Sequence, residues 1–346
     1  MVSAYGKVTP LYLNNEEANM QFGISTSYRK KLFKYAVLLI ATSVFSTTAK
    51  AQNAYPDNPV TILVPFGPGG TSDIMARILA KHLRQAMGGN LIIDNKGGAG
   101  GAIGMMQLKR AKPDGYTLGL SVIGPEVLQP GMRKTGYTYQ DFDHICGTYS
   151  VPLMMMVPQD SAFKSMQDVV AFARKNPGQL SYGTSGTGTL LHIAMEMLMK
   201  QANATALHVP YKSSAEMVTG LLGQQVMVIS DTTTVAKQYK LRPLGIFSDQ
   251  RLQSSPQVAT TRESGWPIQA TIWGGLIAPK GLPPEIVAKL EAACEKAVNS
   301  EGYKTDVEPL DTPAHFMNAK AFGAFAKSES EKYTKLIQDI GINVDK

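Results

Sequence analysis

The chain of 346 residues is poor in the side chains most often recruited for chemistry, with two cysteines, two tryptophans and five histidines. His82, His144, His192, His208 and His315 are scattered, and no His/Cys/Asp/Glu spacing resembles a zinc or di-metal site. Neither a metal nor another cofactor is therefore expected. Beyond the first fifty residues there is no run of Lys and Arg with interleaved aromatics, which argues against nucleic-acid binding. The formal net charge of +7 overstates the basic character, since residues 52–346 carry only +3. No apolar run reaches the ~20 residues that a membrane-spanning helix requires. Cys294 shares a helical face with Ile286, Leu290 and Ala297, and Cys146 follows Phe142 in an apolar run. Two buried free thiols are the expectation; a single disulfide is the alternative that an oxidising compartment would allow.

What is present begins with an address. Arg29, Lys30, Lys31 and Lys34 precede an apolar stretch from Tyr35 to Phe45, and Ala49-Lys50-Ala51 has the small-x-small form of a cleavage site. This pattern predicts a signal peptide within residues 1–51 and a mature start at Gln52, hence a periplasmic protein. Nineteen residues precede Met20, an odd length for a leader, and Met20 is the alternative start.

Beyond the leader, short apolar runs alternate with helical patterns. Strands are expected at Thr61–Val64, Leu91–Asp94, Thr117–Ser121, Leu153–Val157, Leu180–Tyr182, Ala206–Val209, Val226–Ser230, Leu244–Phe247 and Ile272–Ile277. Helices are expected at Ser72–Met87, Gly101–Ala111, Met166–Lys175, Thr189–Gln201, Ser214–Leu222, Glu285–Asn299 and Ala319–Ile340. Runs without clean alternation fit parallel strands covered on both faces, and the alternation of strand and helix gives an α/β fold. One unit occurs twice. The strand ending at Val64 feeds a Gly-rich loop, Pro65 to Asp73, which opens a helix; the strand at Leu180 feeds Gly183 to Thr189, which opens another. Each loop offers unpaired backbone N–H groups at a positive helix end, an arrangement that suits an anion. If the loops face each other, the anion sits in a cleft between two lobes.

Neither loop matches a nucleotide fingerprint. The first lacks the third Gly of G-x-G-x-x-G, and the second has Thr189 where a P-loop needs Lys. Ser185 is not in a nucleophile elbow, because Thr187 stands where the closing Gly belongs. A hydrolase using Ser185 or Ser72 is therefore a minor alternative. Asp73 reads first as an acid completing the helix start and pairing with Arg77 at i,i+4. The cluster Gly97–Gly104 reads as close helix–sheet packing, with the floor of a lobe as the functional alternative.

The segments Tyr55–Val60, Val64–Asp73, Lys112–Leu118, Leu180–Gly186, Val209–Lys212 and Trp273–Gly281 together resemble the Bug-type (TctC-like) extracytoplasmic solute receptors of tripartite tricarboxylate transporters. The likeness runs in order along residues 52–346. It implies a type II-like periplasmic binding protein with a cleft between two Rossmann-like lobes. Residues 52–150 with 277–346 would form the first lobe, and residues 151–276 the second. It also implies a monomer that grips a small organic carboxylate and delivers it to integral-membrane permease subunits; a receptor feeding a sensor is the alternative. Carried onto this chain, the gripping residues are Phe66, Gly69, Gly70, Thr71 and Asp73 in the first loop. In the second they are Thr184, Ser185, Gly186, Thr187 and Thr189, with Asp231 after a later strand. Two stretches depart from the family pattern, Ser121–Glu126 and Val228–Thr234. Both are expected to line the distal pocket, with a solvent-exposed Glu126 as the alternative, and Phe66, Tyr211 and Trp273 are candidate stacking walls.

Overall fold

The computed structural model describes residues 55–340; the expected signal peptide and Met20 lie outside them. Ten strands share one sheet system. β1 (Val60–Val64), β2 (Leu91–Asn95) and β3 (Thr117–Val122) are parallel, and so are β5 (Ser181–Thr184), β6 (Leu207–Pro210) and β7 (Val228–Thr232). Between these groups run β4 (Phe142–Val157) and β9 (Thr271–Pro279), in the order β2-β1-β3-β9-β4-β7-β5-β6. β8 (Arg242–Ile246) and β10 (Ala314–Met317) also pair with β4. The result is a mixed α/β fold of two lobes.

The expectation of parallel strands therefore holds only within each group. Every pairing of β4 and β9 is antiparallel, because both strands carry the chain between groups. β4 is also far longer than the predicted Leu153–Val157. Its register slips twice against β9, between His144 and Cys146 and between Gly147 and Tyr149. Each slip breaks the period-two signal, and Pro152 obscures it further.

The helices cover both faces: α1 (Thr71–Met87), α2 (Ala102–Lys109), α3 (Gln129–Met132, after a π-turn at Gly124–Leu128), α4 (Met166–Lys175), α5 (Leu190–Gln201), α6 (Ser214–Leu222), α7 (Thr233–Gln238), α8 (Pro284–Val298), α9 (Glu301–Val307) and α10 (Ala319–Ile340). α1 buries Met75, Leu79 and Leu83, a stripe at i, i+4 and i+8 that follows from the helical period. Among the described residues no helix is long and apolar enough to cross a membrane.

The two cysteines are fully buried, as expected, but they are not free: Cys146 on β4 is joined to Cys294 on α8, 148 residues away in sequence. The free-thiol reading is overturned because α8 lays its apolar stripe against β4 at that position. No local pattern in the chain marks so distant a pairing.

Candidate functional site

The loops after β1 and β5 meet. Gly69 has φ +86°, and a side chain there would collide with the Tyr239 hydroxyl, which donates to the Gly69 carbonyl at 2.8 Å. Gly100 (φ +62°), from the Gly97–Gly104 cluster, lies so close to the second loop that a Cβ would sit 2.8 Å from the Thr187 carbonyl. That carbonyl accepts from the buried Gln129 amide at 2.9 Å. Thr71 and Thr232 share a buried hydroxyl–hydroxyl hydrogen bond of 2.5 Å. The chain thus packs backbone on backbone across the gap, where only glycine leaves the room.

Between the loops is a small cavity of about 30 Å³, space for roughly one water molecule. Two helices point into it. α1 starts at Gly70 and α5 at Thr189, and neither start is capped by a side chain. The N–H groups of Thr71, Ser72, Leu190 and Leu191 are therefore without intrahelical partners. By contrast α4, α6 and α9 are closed by the hydroxyls of Ser165, Ser213 and Ser300, the usual means of satisfying such donors, whereas α2, α3, α7 and α8 have no side-chain cap either. No Lys, Arg or His lines the cavity.

Of the eleven residues nominated from sequence, Phe66, Gly70, Thr71, Ser185, Thr189 and Asp231 line this cavity. Gly186 and Thr187 instead line a wider mouth of about 360 Å³, to which Ser185 also contributes. Gly69, Asp73 and Thr184 lie behind the walls. Asp73 accepts from the Gly69 N–H at 3.0 Å, from Asn95 at 3.1 Å and from Arg77 at 3.0 Å. Burial opposes its ionisation, but these donors outweigh it and hold its carboxyl below the ordinary range. Its place is to fasten the loop. Thr184 pairs with His208 Nε2 at 2.6 Å and receives the Gly186 N–H at 3.3 Å. His192 Nδ1 accepts the Gly188 N–H at 3.2 Å. The His192 and His208 rings stack 4.1 Å apart, with Tyr182 stacked on the far side of His208 at 5.1 Å. Burial and the neighbouring His192 push His208 down to about 3, and burial lowers His192 as well.

Asp231 is buried and accepts from Ser214 at 2.6 Å and from the Thr232 N–H at 2.8 Å. Burial nonetheless raises its pKa to about 6. Ser72, Ser214 and Thr232 line the cavity beside it without having been nominated from sequence. Thr232 stood in a flagged segment, whereas nothing local marked Ser214. The expected pocket stretches need correction too. Of Ser121–Glu126, only Val122 and Gly124 reach the cavity. Glu126 is neither there nor exposed; it is fully buried, paired with His144 at 2.6 Å and with Ser121. Trp273 is core, its indole donating to Glu329, while Phe66 is at the cavity and Tyr211 at the mouth.

Residues 75–342 match the family model described as tripartite tricarboxylate transporter family receptor. A protein of Cupriavidus necator, "UPF0065 protein in gbd 5'region", is 34% identical over 312 residues, covering 89% of this chain and 95% of that one. The solved periplasmic binding protein BugD superposes with a TM-score of 0.80 at 30% identity, over 84% of this chain and 99% of its own. Rpa4515 of R. palustris, solved with adipate, does so with 0.78 at 26%, over 84% and 99%. A two-lobed fold, two open helix starts on one cavity and a match along most of the chain lead to one conclusion: this protein belongs to the tripartite tricarboxylate transporter receptor family, as a Bug-type, TctC-like solute-binding receptor.

Proposed function

We propose that the protein captures a small organic carboxylate between the loops after β1 and β5 and delivers it, in the periplasm, to integral-membrane permease subunits. The observation that carries this reading is the pair of side-chain-free helix starts, α1 and α5, converging with the hydroxyls of Thr71, Ser185 and Thr232 on one cavity without a cation. Such a site offers N–H and O–H donors at two positive helix ends, which suits a carboxylate and needs no cofactor. Three or four hydrogen bonds to a charged group, each ~1.5–3 kcal/mol, supply the scale of micromolar affinity. The adipate held by Rpa4515 is the kind of ligand the reading calls for.

A cavity of about 30 Å³ is too small for such a molecule, so the lobes part to admit it. We take them as residues 52–150 with 277–346, and 151–276, joined through β4 and β9. Opening then breaks contacts between the loops, among them Thr71 to Thr232, Tyr239 to Gly69 and Gln129 to Thr187. The ligand restores the closed form by touching both lobes. The protein acts in this as a monomer and a binder rather than a catalyst. Both imidazoles near Ser185 are committed to loop atoms, His192 to Gly188 and His208 to Thr184, which disfavours a serine hydrolase.

The test is calorimetric titration of the 52–346 protein with a panel of aliphatic and aromatic carboxylates. Ser185→Ala with Thr187→Ala should weaken the best ligand by about tenfold or more, the effect of one or two hydrogen bonds to a charge, with no loss of fold. Unchanged affinity in the double variant would remove the second loop from the site.

A further inference from the structure

Three acids are buried among the described residues, and two of them have a basic partner: Arg77 for Asp73 and His144 for Glu126. Asp231 has none. It is 3% exposed, near the end of β7, and it lines the cavity between the loops. The groups that face it are neutral on every side. The Thr232 N–H reaches Oδ1, and from α6 the Ser214 hydroxyl reaches Oδ2. β4 sets Met154 opposite it in the sheet. The other walls of the cavity bring hydroxyls, backbone and apolar groups, so Asp231 is the one charged side chain of the lining. Its ionisable neighbour is the Tyr239 phenol, whose own ionisation is opposed by burial and by Asp231 and whose hydroxyl is committed to the Gly69 carbonyl. The start of α1 is one step away, since Thr71 bonds to Thr232 and Thr232 to Asp231. A site that suits an anion thus carries a buried acid and no cation to neutralise it. Two carboxylates confined together in such a space do not both stay ionised; they share a proton.

We propose that the site takes up its carboxylate together with one proton, held between Asp231 and the ligand, so that Asp231 serves the bound anion as a hydrogen-bond donor. The inference rests on the carboxylate-receptor reading and deepens it by naming a second species that the cavity binds. The balance is simple. A ligand carboxylate, an ionised Asp231 and one proton from a buffer acid combine; the new O–H bond forms on an Asp231 oxygen, and the buffer is left as its conjugate base. The donations from Ser214 and Thr232 persist, because a protonated carboxyl keeps acceptor lone pairs. The N–H groups at the starts of α1 and α5 meet the charge of the ligand, and the proton removes the charge that would repel it. Burial alone already pushes the Asp231 carboxyl up to about 6. The ligand's charge pushes it further in the same direction. Above that pH the empty site is mostly ionised and the occupied site is protonated, so affinity falls by about tenfold per pH unit.

The experiment counts protons. Butanoate, hexanoate and benzoate are titrated calorimetrically into the 52–346 protein at pH 7.5 in HEPES, imidazole and Tris, buffers of different ionisation enthalpy. The slope of observed heat against buffer ionisation enthalpy gives the protons taken up per ligand. Wild type should take up about one, and its affinity for the best probe should fall by about tenfold between pH 7 and pH 8. Asp231→Asn should bind the same probe with no uptake and with affinity flat over that range. Ser214→Ala keeps the acid but removes a donor that favours its charged form, so the fall in affinity should begin at a higher pH than in wild type. Should Asp231→Asn not fold, the wild-type slope and the Ser214→Ala onset decide. A wild type that binds a probe with no proton uptake would overturn the inference and leave the carboxylate receptor standing. So would uptake that persists in Asp231→Asn, or an onset that Ser214→Ala does not move, since either places the proton on another group. If wild type binds none of the probes between pH 5 and pH 8, the receptor reading itself fails for simple acids and the inference falls with it.

Discussion

The loop after β1 and the loop after β5 deliver helix starts to the same cavity, but they are held in shape by opposite kinds of group. The first hangs on a carboxylate. Asp73 gathers the Gly69 N–H, Asn95 and Arg77 around itself and is stabilised in its charged form. The second hangs on neutral groups, since Thr184 and the Gly188 N–H lean on two stacked imidazoles kept uncharged by burial. One wall is therefore indifferent to pH across the neutral and mildly acid range, while the other is not. The comparison also explains why Asp73 contributes no oxygen to the cavity: its charge is spent on the loop.

Removing Asp73 should break the first wall most severely. Asp73→Ala strands three donors, and a loss of about 3 kcal/mol in urea-unfolding free energy is expected, together with loss of carboxylate binding. A smaller effect of opposite sign is expected at Asp231. Its folded pKa, about 6, lies above the ordinary 3.8, so the folded protein holds the extra proton between those values. Stability from this group is present at low pH and is lost as pH rises through about 6. Asp231→Asn, whose amide can still meet Ser214 and the Thr232 N–H, should raise stability at pH 8 by about 2 kcal/mol. It should also remove a fall in ligand affinity above pH 6, read by titration at pH 5 and pH 8. The second wall should be the acid-sensitive one. The folded pKa of His208, about 3, lies below the ordinary 6.5; its contribution is full above 6.5 and is lost as pH falls toward 3, with a slope of at most about 1.4 kcal/mol per pH unit. His208→Gln should flatten this slope in thermal unfolding at pH 4 to 7. Thr184→Val should be mildest, about 1 kcal/mol, and should weaken binding with no effect on the Asp73 loop. An equal response of both walls to acid would erase the distinction.

How much of this could be read from the chain depends on the range of the signal. The loop-to-helix units were legible because Gly-rich turn and apolar helical stripe lie within about twenty-five residues of each other, at Val60–Met87 and again at Leu180–Gln201. β1, β3, α1, α4 and α5 follow from the same local periodicity. The first eleven residues of β4 were not legible, because two register slips and Pro152 destroy the alternation. The α7 helix was missed for want of length, and the Cys146–Cys294 bond because its partners are 148 residues apart. In the site, the loop residues were nominated from their motif, but which of them face the cavity was not. Asp73 and Thr184 turn inward to hold backbone, while Ser214 enters from α6 by tertiary packing alone. Glu126 shows the same limit in reverse: an acid beside a Gly-Pro turn reads as pocket lining or as surface, yet β4 brings His144 to it and makes it core.

The disulfide has a mechanical consequence. Residues 147–293, including β5 to β8 and the whole second loop, lie inside a covalent ring closed by Cys146 and Cys294. Pulled from its two ends, the oxidised chain transmits force through β4 and α8 and bypasses everything in between. About 500 Å of chain would stay hidden from the stretch, and the second loop would be shielded from a load that pulls the first one apart.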